Sequence, residues 1–125
     1  MASKNMWGDL SKLEVARSPK AILQEQGDYL TKATGGVLVG TIGARVVASG
    51  FAYDLDVEIP ALNNYRYTIL TIEHDATLYP VTVRSSNPSE VYQVGDEAAF
   101  EATIEYILGS EDVKLILSRL LSQAT

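Results

Sequence analysis

The stretch Phe51 to Glu73, FAYDLDVEIPALNNYRYTILTIE, constrains the fold most. Its first half alternates strictly. Phe51, Tyr53, Leu55, Val57 and Ile59 point one way, and Ala52, Asp54, Asp56 and Glu58 the other. A period of two describes a strand with one buried and one wet face. Pro60 ends it, because proline has no N–H for a ladder. Asn63-Asn64 tolerates left-handed backbone and makes the turn. A second strand then runs Tyr65 to His74. Pairing Ile59 with Tyr65 sets Val57 against Tyr67, Leu55 against Ile69 and Glu58 against Arg66. In that register Leu70 and Ile72 fall on the charged face.

The remaining segments are placed around this hairpin. Ser18-Pro19 reads as a helix start, with a serine cap and proline in the first turn. The helix runs to about Ala33, with Ile22, Leu23, Gln26, Tyr29, Leu30 and Ala33 as its inward stripe. Gly27 weakens its middle by about 1 kcal/mol relative to alanine. Thr34-Gly35-Gly36 closes it. Val37 to Ala48 is a strand thinned by Gly40 and Gly43, which implies a bend, a bulge or close contact with a helix. A Ser49-Gly50 turn would set Arg45 opposite Asp54 and Val46 opposite Tyr53. Asp75-Ala76-Thr77 reads as a turn into a strand from Leu78 to Arg84, with Arg84 opposite Thr68. Ser85 to Ser89 is a loop, and Val91 to Val94 a short fifth strand. Asp96 caps a helix from Glu97 to Leu108, with the stripe Phe100, Thr103, Ile104, Ile107 and Leu108. Ser110 caps another from Glu111 to about Ser122. The expected architecture is α+β: a four- to five-stranded antiparallel meander sheet with an N-terminal helix and two C-terminal helices. Residues 1–17 form a loose N-terminal arm on a single domain spanning 18–125, with Trp7 as the anchor where the arm is ordered.

Composition narrows the function classes. The 125 residues contain no cysteine, which removes disulfides and thiolate chemistry and fits a cytoplasmic location. The net charge is −6, so nucleic acid is not an expected partner. No apolar run reaches the ~18 residues of a membrane span, and MASKNMWGDL lacks the apolar core of a signal peptide. From Asp96 to Asp112 there are acids and no bases. Glu97, Glu101 and Glu105 therefore present a solvated helix face or a docking surface for a basic partner.

Chemistry is sparse. His74, the only histidine, stands between Glu73 and Asp75. Neighbours in a strand point to opposite faces, so this tripeptide is no preset triad. The row Asp54, Asp56, Glu58 suits a hard cation or carboxylate catalysis, but Arg45 and Arg66 oppose it. GTIG lacks the context of a phosphate loop. No metal or cofactor is expected. Tyr53, Tyr65, Tyr67 and Tyr79 share the predicted core face and, with His74, would line a ligand pocket. Val39, Val47, Leu70 and Ile72 would form an apolar patch rimmed by charge, the usual form of an interface. The leading expectation is a non-enzymatic protein–protein interaction module, with a homodimer among its candidate assemblies. An acidic inhibitor, immunity or antitoxin-type protein fits the charge. The alternative is a ligand binder or enzyme using the tyrosine-lined face near His74.

Overall fold

The computed structural model describes residues 3–86 and 90–125. Helix α1 spans Pro19–Ala33, strands β1 Val39–Val47, β2 Gly50–Ile59, β3 Tyr65–His74, β4 Val81–Ser85 and β5 Val91–Val94, and helices α2 Glu97–Leu108 and α3 Glu111–Ala124. The sheet is an antiparallel meander in the order β1-β2-β3-β4-β5. The expected α+β architecture is present. Of the expected loop Ser85 to Ser89, residues 87–89 lie outside the described residues, as do residues 1–2 of the arm. The segment from Leu78 to Pro80 precedes β4 rather than opening it, and contains a cis Tyr79-Pro80 bond.

The helices begin where their caps dictate. Ser18 Oγ accepts from the Ala21 N–H at 3.1 Å, Asp96 Oδ1 from Ala99 at 2.8 Å, and Ser110 Oγ from Val113 at 3.3 Å. Each satisfies a donor that the first helical turn leaves free. The helices cover one sheet face. Ile22 and Leu23 of α1, Phe100, Ile104 and Ile107 of α2, and Val113 and Leu120 of α3 are buried with Leu55, Val57, Ile59, Val81 and Val83.

Two registers differ from the sequence reading. The β1–β2 turn is Ala48-Ser49, and Gly50 pairs with Val47 as the first residue of β2. Arg45 therefore faces Ala52, and Val46 faces Phe51. The shift of two positions keeps every side chain on its expected face. Arg45 still reaches Asp54, now diagonally, at 3.0 Å. Gly50 sits at the end of β2 because a Cβ there would lie 2.7 Å from Asp75 Cα.

The second difference is larger. β2 and β3 pair as expected from Ile59–Tyr65 to Asp56–Thr68, and then Leu55 pairs with Leu70. Ile69 is an extra residue, a β-bulge, and its carbonyl accepts from Ser86 N–H at 3.0 Å. Because side chains alternate, one inserted residue reverses the face of all that follow. Leu70 and Ile72 turn into the core, 1% and 0% exposed. The expectation that they share the charged face with Val39 and Val47 is thereby corrected. Arg84 meets Thr71, not Thr68, because the connection from β3 to β4 runs from Asp75 to Pro80 rather than through a three-residue turn.

Candidate protein-interaction site

Gly27 and Gly40 seat α1 on the sheet. The Thr31 hydroxyl ties them together, accepting from the Gly40 N–H at 3.0 Å and donating to the Gly27 carbonyl at 3.1 Å. With α1 so placed, its outer edge faces α2 across a groove of about 550 Å³. The walls are Arg17, Glu25, Gln26 and Tyr29 on one side and Glu101, Glu105 and Leu108 on the other, with Ile22 and Ile104 between them. The groove shares Gln26, Tyr29 and Leu108 with an apolar cleft of about 240 Å³, lined by Leu30, Leu55, Val57, Ile69, Val113 and Leu117 among others. An acidic rim thus adjoins an apolar recess.

Arg17 spans the rim. Its Nη2 lies 2.5 Å from Glu25 Oε2 and its Nη1 2.8 Å from Glu101 Oε1. Desolvation opposes the charged guanidinium, but the Glu25 and Glu101 carboxylates outweigh it and raise its pKa above the ordinary arginine value. All three side chains are about half exposed, so the pairing marks specificity more than stability.

Before Arg17 none of the described residues of the arm is buried. Every described residue from Ser3 to Arg17 is exposed. That includes Met6, Trp7 at 80%, Leu10, Leu13 and Val15 at 93%. The arm has local shape: Trp7 N–H donates to Asn5 Oδ1 at 3.0 Å, and Asp9 caps a 3₁₀ turn over Leu10–Lys12.

The other sequence-derived candidates disperse. Val39 and Val47 lie half-buried on the helix-free face, opposite Glu58 and Gly50. The acidic row on that face is engaged by its neighbours. Asp54 accepts from Arg45 and from Thr71 at 2.6 Å, Asp56 accepts from Thr68 at 2.7 Å, and Glu58 lies 3.6 Å from Arg66. Among the described residues no group of three carboxylate or histidine side chains is placed to hold a metal ion.

The tyrosines do not form one pocket. Tyr65 is opposite Ile59 and Tyr53 opposite Ile72, six strand positions away, which is roughly 20 Å. Tyr65 is exposed, Tyr67 half-buried, and Tyr79 packs edge-on to Phe100 with ring centroids 6.4 Å apart. His74 is buried between Phe51 and Tyr53, at centroid distances of 5.9 and 5.6 Å. Its Nδ1 is 2.8 Å from the Asp75 carbonyl, so Nδ1 carries the proton and donates. Nε2 is buried with no hydrogen-bond partner among the described residues. The Tyr79 hydroxyl is also buried without a partner. Burial, and then the carboxylates of Glu97, Glu101 and Asp96, raise its pKa above the ordinary 10.0.

Of the acidic candidates, Glu101 and Glu105 line the groove, and Glu97 lies half-buried one turn before Glu101. Sequence reasoning placed Leu30 and Leu108 on core-facing helix stripes rather than at a site, and did not name Arg17, Val113 or Leu117 as site residues. One signal was present: Gln26 and Tyr29 on the inward stripe of α1, polar groups where the helix face leaves the core. No protein-family model matches the chain, and no curated protein or solved structure matches it.

Proposed function

We propose that this chain is a non-enzymatic protein-interaction module that takes a basic, amphipathic segment of a partner in the groove between α1 and α2. The observation behind this reading is Arg17: two carboxylates from different helices converge on one guanidinium above the apolar residues Ile22 and Ile104. A helix or extended peptide with arginine or lysine along one edge and leucine-sized groups along the other meets the acidic rim and the recess together. The acidic α2 face fits the same partner, and a basic enzyme or toxin inhibited by this chain would supply such a segment.

A ligand-binding role has one supporting feature, the apolar cleft beside the groove rather than the dispersed tyrosines. At about 240 Å³ it is smaller than the roughly 300–1,000 Å³ typical of ligand pockets.

The test is a titration of isotope-labelled protein with a synthetic amphipathic arginine–leucine helix. A control peptide has the same composition scrambled to destroy the apolar stripe. Amide shifts should cluster at residues 22–29 and 101–109, and Glu101→Gln or Glu105→Gln should weaken binding. Shifts concentrated on the helix-free sheet face, or equal binding of the scrambled peptide, would rule the reading out.

A further inference from the structure

The exposed arm and the open cleft belong to the same chain, and each supplies what the other lacks. We propose that the arm of a second copy of this chain occupies the cleft, so that two copies exchange arms reciprocally. This rests on the groove being a segment-binding site and names its occupant.

The arm has the required pattern. Met6, Leu10 and Leu13 fall at i, i+4 and i+7, with Trp7 beside them, so they share one face once the arm, which in the structure has a positive φ at Gly8 and a 3₁₀ turn over Leu10–Lys12, becomes helical on docking. Lys4 and Lys12 lie along the same segment with Asp9 and Glu14, so the arm is close to neutral before Arg17, and of the groove's acids Glu25 and Glu101 pair with Arg17 while Glu105 lies beside them. The recess is lined by Leu30, Leu108, Val113 and Leu117, which accept an indole or leucine side chain.

Arg17 fixes the root of the arm at the rim of its own groove, but the arm leaves that rim and stays off its own surface throughout. Ten residue steps lead from Arg17 to Trp7; with Trp7–Leu13 helical and the rest extended, the reach is roughly 22 Å, which carries the indole clear of its own rim. Exchange by two copies satisfies both arms and both clefts under one twofold axis and leaves no unpaired surface to propagate. One indole buries roughly 150–250 Å². With Met6, Leu10 and Leu13 added, and both arms counted, the contact approaches the ~800 Å² per partner of a standard interface.

Trp7 is the only tryptophan, so its fluorescence reports the arm alone. The mass of the full chain should double across a dilution series, and Trp7 emission should shift to the blue with the same midpoint. In a mixture of labelled and unlabelled protein, intermolecular contacts should join the Trp7 indole to the Leu30, Val113 and Leu117 methyl groups. Trp7→Ala removes an exposed side chain and leaves the folded domain intact, and it should weaken dimerisation by roughly tenfold or more.

Three results would overturn the exchange. One is a monomer at every concentration with a blue-shifted Trp7, meaning the arm docks on its own cleft. Another is a monomer with a water-exposed Trp7. The third is a dimer indifferent to Trp7→Ala. Titrating the Trp7→Ala protein with the arginine–leucine peptide separates the two ideas. Groove binding by a chain that never dimerises discards the exchange alone, whereas no groove binding discards the underlying reading.

Discussion

Gly40→Ala should be among the most damaging single-methyl additions to this protein. An ideal Cβ at Gly40 would stand 2.6 Å from the Gly27 carbonyl carbon, with the Gly27 Cα and oxygen closer still. Carbon atoms rest at about 3.5–4.0 Å. The obstacle is helix backbone, which has no rotamer to change, so α1 must move back by roughly 1 Å. A gap of that size forfeits a quarter to a half of the contact energy of the groups beneath it. Ile22 and Leu23, 2% and 0% exposed, are those groups, each worth about 1.5–3 kcal/mol when fully buried. The expected loss is about 1–3 kcal/mol, the range of overpacked cores. The Thr31 bridge to Gly40 would be stretched as well.

Two other glycines serve as internal controls. A Cβ on Gly27 would meet Gly40 backbone at 3.3 Å, tight but tolerable, and alanine gains about 1 kcal/mol of helix propensity. Gly27→Ala should therefore stay within about 1 kcal/mol of the parent. A Cβ on Gly43 would find its nearest neighbour, an Asp54 side-chain atom, at 3.7 Å, so Gly43→Ala should be close to neutral. Urea unfolding reads all three, with the midpoint moving and the slope unchanged. A Gly40→Ala midpoint within about 0.5 kcal/mol of the parent would refute the claim that this contact seats α1 and so sets the width of the groove.

Three further outcomes follow from the same coordinates. Leu70→Asp and Ile72→Asp should each unfold the domain, losing more than about 3 kcal/mol by circular dichroism, because the bulge has made both core residues. A folded protein with only altered oligomeric state would return both to the surface. Tyr79→Phe should be neutral or stabilising by about 1 kcal/mol near neutral pH, since it removes a buried hydroxyl with no partner. The raised folded pKa of Tyr79 means that stability is full below the ordinary value of 10.0 and falls as pH rises through the folded value. The Phe variant should lose less stability in alkaline urea melts than the parent. Asp75 has the opposite sign. Hydrogen bonds from the Thr77 hydroxyl and N–H lower its pKa, so its contribution is present above the unfolded value and lost as pH falls through the folded one. Asp75→Asn should flatten the acid limb of the stability profile; an unchanged limb would contradict this.

The legible parts of the fold were those governed by near neighbours. Ser18, Asp96 and Ser110 each marked a helix start, because a cap needs only the next three residues. The alternation of β2 fixed its buried face. Gly40 suggested close helix contact, and the structure supplies the partner, Gly27, whose cost to α1 had no local reason. The β1–β2 register was set two positions off because Gly50 was read as a turn residue. Its absent side chain instead makes room for Asp75, a contact from another strand. The groove was not legible. It depends on how α1, α2 and α3 meet over the sheet, which no single segment encodes.

The bulge carries the strongest lesson for function. Counting from Tyr65, the core phase is Tyr65, Tyr67 and Ile69; after the bulge it is Leu70, Ile72 and His74. Two adjacent apolar residues, Ile69 and Leu70, stand where the phase changes, and both are buried. A strand that must stay half-wet can accommodate such a pair only by inserting one residue. Without the insertion, Leu70 and Ile72 would lie among Asp54, Asp56 and Glu58 and invite a partner onto the sheet. With it, that face carries Asp54, Asp56 and Glu58 with their threonine and arginine partners, beside half-buried Val39 and Val47, and the large exposed apolar side chains Met6, Trp7 and Val15 stand in the arm instead. The hairpin reaches the proposed interaction site only through Leu55, Val57 and Ile69 in the wall of the cleft.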